Sequence, residues 1–165
     1  MASRIILAVL LLSASLFCDE KRINFPEQNP LISIVVEDSW HLNYIPEHKL
    51  LEIDMNVDNL YYDIHAFEAS SLEEAFEQAG EIFNMEFYDA KLGTPEEEDI
   101  HGIKTYKFSG SELNFENFYY QYSLRLLKIN DSNYVVVFYV GSSEDIEEYE
   151  WDLEGATYTI KPITD

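Results

Sequence analysis

The chain is 165 residues long, 47% apolar and 15% aromatic, enough apolar material for one domain with its own core and too much for intrinsic disorder. Its 10 lysines and arginines stand against 32 aspartates and glutamates, a net charge of −22. That balance excludes nucleic acid as a partner, because affinity for a phosphate backbone depends on basic side chains releasing its counterions, and it disfavours anionic membrane surfaces for the same reason. Cations or a basic protein are the partners it favours.

Arg4 precedes the apolar run "IILAVLLL", which is followed by Ser13, Ala14 and Ser15. A charged start, a short apolar centre and a small-residue exit make an export signal, and the run is too short to span a bilayer. Residues 1–18 are therefore predicted to be an export signal, and the mature protein is predicted to be extracytoplasmic: periplasmic, secreted, or lipid-anchored at the membrane surface. Cys18 closes the run and is the only cysteine, so the domain has no internal disulfide. Its fate stays open among three outcomes. Lipidation of Cys18 would anchor the protein through the polar stretch behind it, although Phe17 departs from the small residue that a lipoprotein signal favours before its cysteine. Cleavage after Ser15 or after Cys18 would instead leave a chain starting at Leu16 or Asp19. A lipid on Cys18 is the one membrane contact predicted, since no second long apolar run follows.

Residues 19–30, "DEKRINFPEQNP", read as a polar tether, with a single domain over residues 31–165. From Ser39 to Ile45, Trp40, Leu42 and Tyr44 alternate with polar residues, and "YIPEHK" turns the chain. Leu51, Ile53, Met55 and Val57 then share one face of a strand over Leu50–Val57, with Glu52, Asp54 and Asn56 on the other. Asp58-Asn59 suits a two-residue turn into a second strand over Leu60–Glu68. The period then changes: Leu72, Ala75, Phe76, Ala79, Ile82 and Phe83 recur at helical spacing, with Ser71 and Glu74 as a capping box, which predicts a helix over Ser71–Phe83. "NMEFYDAKL" reads as a returning strand, "GTPEEED" as an acidic loop, and "HGIKTYKFSG" as a short strand between glycines. "NFENFYYQYSLRLLKIN" alternates again, "NDSN" turns the chain, and "YVVVFYV", apolar at every position, predicts a central strand covered on both faces. Ile146, Tyr149, Leu153, Ala156 and Ile160 mark a terminal helix capped by Ser142 or Ser143 and stopped by Pro162. The sum is an α+β domain: an antiparallel β-sheet of about six to seven strands flanked by two main helices.

That order, together with "SLEEAFEQAGEIF", "HGIKTYKFSG", "YVVVFYVG" and the amphipathic terminal helix ending in "IKPI", resembles the PsbP-like and DcrB-like families. The resemblance covers roughly Ile32 to Ile163 and lies in patterning. It implies a sheet sandwiched by helices, and an exported, often lipid-anchored accessory or assembly factor without enzymatic activity. No functional residue of those families can be matched to a position here.

Sites of chemistry are sparse. No Gly-x-Ser-x-Gly elbow and no phosphate-cradling Gly-x-x-x-x-Gly-Lys loop occurs, and His41, His48, His65 and His101 lack the spacing of a zinc site, so no catalytic residue is assigned. With Asp58-Asn59 as a two-residue turn, counting outward sets Asp54 opposite Asp63 and Glu52 opposite His65 on the polar face. Opposed like charges repel, so Asp54 and Asp63 must splay into water, share a proton, lean on a protonated His65 or hold a cation. Glu52, Asp54, Asp63 and His65 are thus a candidate cation-binding patch, and a divalent cation there is the one cofactor considered; the fold itself should need none. The leading expectation is an exported, non-catalytic accessory or binding protein of the cell envelope, its acidic surface facing a basic or envelope protein or cations. The alternative is an acidic-site hydrolase using Asp54 and Asp63 as general acid and base.

Overall fold

The structure is a computed structural model, and it describes residues 20–86, 92–113 and 119–164. In chain order the elements are β1 (Glu20–Phe25), β2 (Ile32–Glu37), β3 (His41–Ile45), a 3-10 turn (Pro46–His48), β4 (Leu50–Asp54), β5 (Tyr61–Glu68), α1 (Leu72–Glu86), β6 (Glu96–Ile100), β7 (Ile103–Leu113), β8 (Tyr119–Lys128), β9 (Asn133–Ser142), α2 (Ser143–Tyr158) and β10 (Lys161–Pro162). The main sheet has seven strands in the order β3-β4-β5-β9-β8-β7-β6, and a second sheet has three in the order β1-β2-β10. Every pairing is antiparallel. The α+β architecture is as the alternation predicts, and the seven strands of the main sheet fall within the six to seven expected; the small second sheet was not expected.

β9 sits at the centre of the main sheet, and its uninterrupted apolar sequence is what that place requires. Tyr134, Val136, Phe138 and Val140 pack with Ala75, Ala79 and Phe83 of α1. Val135, Val137 and Tyr139 point the other way, into a core closed by Ile146, Leu153 and Ala156 of α2 and by Phe25, Ile32, Ile34 and Val36 of the small sheet. Alanines at the contact let α1 lie close to the sheet, and Phe76 meets Tyr106 and Phe108 edge-on at 5.1 and 5.8 Å.

Both helices start on serines. Ser71 Oγ accepts from the Glu74 amide at 3.2 Å, while the Glu74 carboxylate reaches back to Ser70, accepting from its amide at 2.7 Å. Ser142 is the N-cap of α2 and accepts from the Asp145 amide at 3.1 Å.

The structure corrects four expectations. The stretch expected to be a tether over residues 19–30 holds β1, whose register against β2 runs from Glu20↔Glu37 to Phe25↔Ile32. Alternation within "EKRINF" explains it: Ile23 and Phe25 face the core, with Phe25 only 1% exposed, and the prolines fall behind the strand. The acidic "PEEED" is mostly the edge strand β6, where one side of the ladder is free and charged residues are tolerated. Asn84 to Glu86, expected in a strand, continue α1, and Leu92 lies in no strand; the rest of that expectation, residues 87–91, lies outside the described residues. Finally, α2 ends at Tyr158, ahead of Pro162, and Lys161 and Pro162 pair with Ser33 and Ile32 as β10. Residues 1–18, Cys18 included, lie outside the described residues, among which no helix is long and apolar enough to cross a membrane.

Candidate functional site

The β4–β5 hairpin carries the four residues singled out from sequence. Alternation puts Leu51 and Ile53 in the core and Glu52 and Asp54 on the opposite side. The connection is wider than two residues. Pairing ends at Ile53↔Tyr62, and two tight turns follow in series, with Asn56 and Asn59 in the left-handed region at φ 61° and 62°. The Asp54 carboxylate accepts from the Asn56 amide at 2.7 Å and so closes the first of these turns itself. The two-residue turn at Asp58-Asn59 does form, the Leu60 amide donating to the Val57 carbonyl at 3.3 Å, but the ladder does not resume beside it: Met55 and Leu60, 9% and 5% exposed, go into the core cluster outside the paired strands.

The register therefore shifts by two residues, and the predicted constellation is not assembled. Glu52 lies across from Asp63, His65 across from Leu50, and Asp54 across from His41 on β3. Glu52, Asp54, Asp58 and Asp63 do share the rim of an open concavity of about 400 Å³, but His65 is not part of it. Glu52 accepts from Asn43 Nδ2 at 2.6 Å. Among the described residues no three histidines, cysteines or carboxylates are grouped to hold a metal ion.

His65 is a core residue, 7% exposed, its ring stacked on Phe138 with centroids 5.8 Å apart and its Nε2 without a hydrogen-bond partner. Burial, with a smaller contribution from His48, lowers its pKa from 6.5 to about 4. It is neutral at neutral pH and offers no charge to Asp63.

The strongest electrostatic feature is one that sequence reasoning missed. Arg125 on β8 is 1% exposed, and among the described residues it is the only buried lysine, arginine, aspartate or glutamate. Its Nε donates to Glu98 of β6 at 2.7 Å, its Nη2 to Glu154 of α2 at 2.6 Å, and its Nη1 to Ser123 at 3.0 Å. Tyr139 donates to Glu154 at 2.5 Å, Tyr158 donates to Glu98 at 3.0 Å, and the Tyr158 ring covers the guanidinium at 5.4 Å. Burial opposes the charge on Arg125, yet Glu154 and Glu98 outweigh it and its pKa is raised. Burial likewise pushes Glu154 up, but its bonds to Tyr139 and Arg125 bring it below the usual carboxylate range. Arg125 and Glu154 therefore stay ionised, and the network ties α2 to three strands at a fixed position. Arginine at an alternating polar position of a strand reads as solvent-facing, and only the covering helix reveals otherwise.

α2 also carries the second missed residue. Ile146, Leu153 and Ala156 face the core, and Trp151, off that stripe, is 89% exposed. A large aromatic outside the apolar stripe of a helix was the signal available.

Neither a family model nor a curated protein sequence matches the chain. Solved structures do: cyanobacterial PsbP (CyanoP) from Synechocystis superposes with a TM-score of 0.61 at 10% identity, over 91% of this chain and 96% of that one. The fold is PsbP-like. LpqN of Mycobacterium tuberculosis, involved in cell envelope biogenesis, gives a TM-score of 0.52 at 13% identity over 88% of this chain and 92% of its own. A protein from Bacteroides thetaiotaomicron gives 0.58 at 14% identity, over 88% of this chain but 49% of that one, so the present chain spans about half the length of that match. At such identities a PsbP-like likeness describes the fold alone. Within it, Glu52, Asp54, Asp58 and Asp63 rim the hairpin concavity, and the outer face of α2 exposes Trp151.

Proposed function

We propose that this chain is an exported, non-catalytic accessory protein of the cell envelope that recruits a basic partner protein through its acidic surface. The observation that carries this reading is the net charge of −22 laid over a fully packed domain. Such a charge attracts a basic partner by long-range steering and orients it before contact. The structural likeness to LpqN, a protein of cell envelope biogenesis, and to PsbP is in keeping with an accessory role. A protein partner is preferred over a cation, because the described carboxylates are not grouped as ligands. The hydrolase alternative loses its footing, because Asp54 and Asp63 do not face each other and Asp54 is committed to its own turn. The domain needs no cofactor for folding in this reading, and its thermal unfolding should be the same with and without chelator.

Two measurements test it. Crosslinking in the source cells, followed by partner identification, should return a protein whose contacting segment is basic and whose complex dissociates as salt is raised; a complex indifferent to salt would overturn the reading. The mass of the mature amino terminus tests export. A lipid on Cys18, or a chain beginning at Leu16 or Asp19, supports it, and an intact Met1 removes it.

A further inference from the structure

Trp151 is 89% exposed, while the other tryptophan, Trp40, is 5% exposed. Indole is the side chain with the most apolar area to lose from water, and it dominates the centres of protein interfaces. Two concavities flank Trp151. One, of about 150 Å³, lies between α2 and the small sheet and is lined by Glu20, Glu37, Trp40 and Asp152 besides Trp151 itself. The other, of about 250 Å³, is bounded by Glu150, Trp151 and Glu154. α2 from Ser143 to Tyr158 contains no lysine or arginine to balance its carboxylates.

We propose that the outer face of α2 docks a basic segment of a partner protein, with Trp151 as the apolar anchor and the slot between Glu20, Glu37 and Asp152 as the receptor for one arginine or lysine side chain. The proposal rests on the reading of the chain as an acidic partner-binding module and assigns that module its contact surface. The slot has the size of one long side chain. Its walls combine carboxylates, which pair with guanidinium or ammonium groups, and indole rings, whose faces attract cations. The basic residues of the adjoining β1 are already engaged: Lys21 donates to the Asp38 and Trp40 carbonyls at 3.2 and 2.8 Å, and Arg22 to Ser33 Oγ at 3.2 Å. Burial, and then the charge of Glu37, raises the pKa of Asp152, so an incoming cation relieves a repulsion already present. A metal ion fits the slot less well, since among the described residues no three such groups are arranged around one point. A second copy would bring two all-acidic helices together, and a lipid surface would have to accept the carboxylates around the indole; charge complementarity singles out a basic protein segment.

The test uses a synthetic hexapeptide of alternating arginine and leucine, carrying a fluorophore, titrated into the full chain and followed by anisotropy. Saturable binding that weakens with salt is expected. Trp151→Ala and Asp152→Asn should each weaken it by about tenfold, with thermal unfolding unchanged. Asp131→Asn, in the distant turn between β8 and β9, should leave it intact. If the peptide binds but the α2 variants weaken it no more than Asp131→Asn, the surface assigned here is wrong while the broader reading of acidic recruitment stands. If the peptide does not bind at all, both fall. A blue shift of Trp151 emission on neutral phosphatidylcholine vesicles, without peptide binding, would make this a membrane-contact face and overturn the proposal. So would a dimer in sedimentation that Trp151→Ala abolishes.

Discussion

His65 holds an unpaired ring nitrogen in the core and titrates near pH 4 in the folded protein, against 6.5 when unperturbed. Its folded pKa is the lower one, so between those two values the unfolded chain takes up a proton that the native state refuses. The stability associated with neutral His65 is therefore complete above pH 6.5 and is lost on the way down to about pH 4, by up to about 3 kcal/mol. His65→Leu should flatten that part of the stability profile, measured by urea unfolding across pH, and should cost little at neutral pH; an unchanged profile would place the acid sensitivity elsewhere. Arg125 has the opposite character. Arg125→Ala takes the guanidinium away from Glu98 and Glu154, leaving only Lys107, 3.9 Å from Glu154, to offset their charges, and should lower stability by about 3 kcal/mol in the same assay. Neither residue's environment was legible in sequence, because both occupy polar positions of alternating strands and look alike until their neighbours across the sheet are known.

At the scale of elements, the period of the apolar residues revealed both helices, the β4 and β5 strands and the doubly covered β9. It did not reveal register. The turn that Asp58-Asn59 signals does form, closed by the Leu60 amide on the Val57 carbonyl, but pairing resumes only at Ile53↔Tyr62, two residues off the register counted from it, which moved every cross-strand partner of Glu52 and Asp63. β1 was hidden by the prolines and charges around it. Its place in the core leads to a further prediction: Phe25→Ala should destabilise the domain by about 3 kcal/mol, as emptying a packed aromatic site does. Circular-dichroism melting would check this, and an unaltered melt would restore the tether.

For the whole molecule, a net charge of −22 means self-repulsion in the compact state. Added sodium chloride should raise the melting temperature as it screens that repulsion, most steeply below physiological ionic strength where the Debye length is still about 10 Å or more. The same salt should weaken association with a basic partner, so stability and binding are expected to move in opposite directions along one titration.

Composition, alternation and helical spacing by themselves determined the fold class, the seven-strand scale of the sheet, the central strand and the acidic character of the surface, because each follows from local period or from a sum over residues. Which carboxylates meet, which histidine is stranded in the core, which arginine is buried and which tryptophan is left outside were decided only by the tertiary structure. Those outcomes depend on register and on which element covers which face, and both are settled by the burial of apolar side chains far apart in the chain.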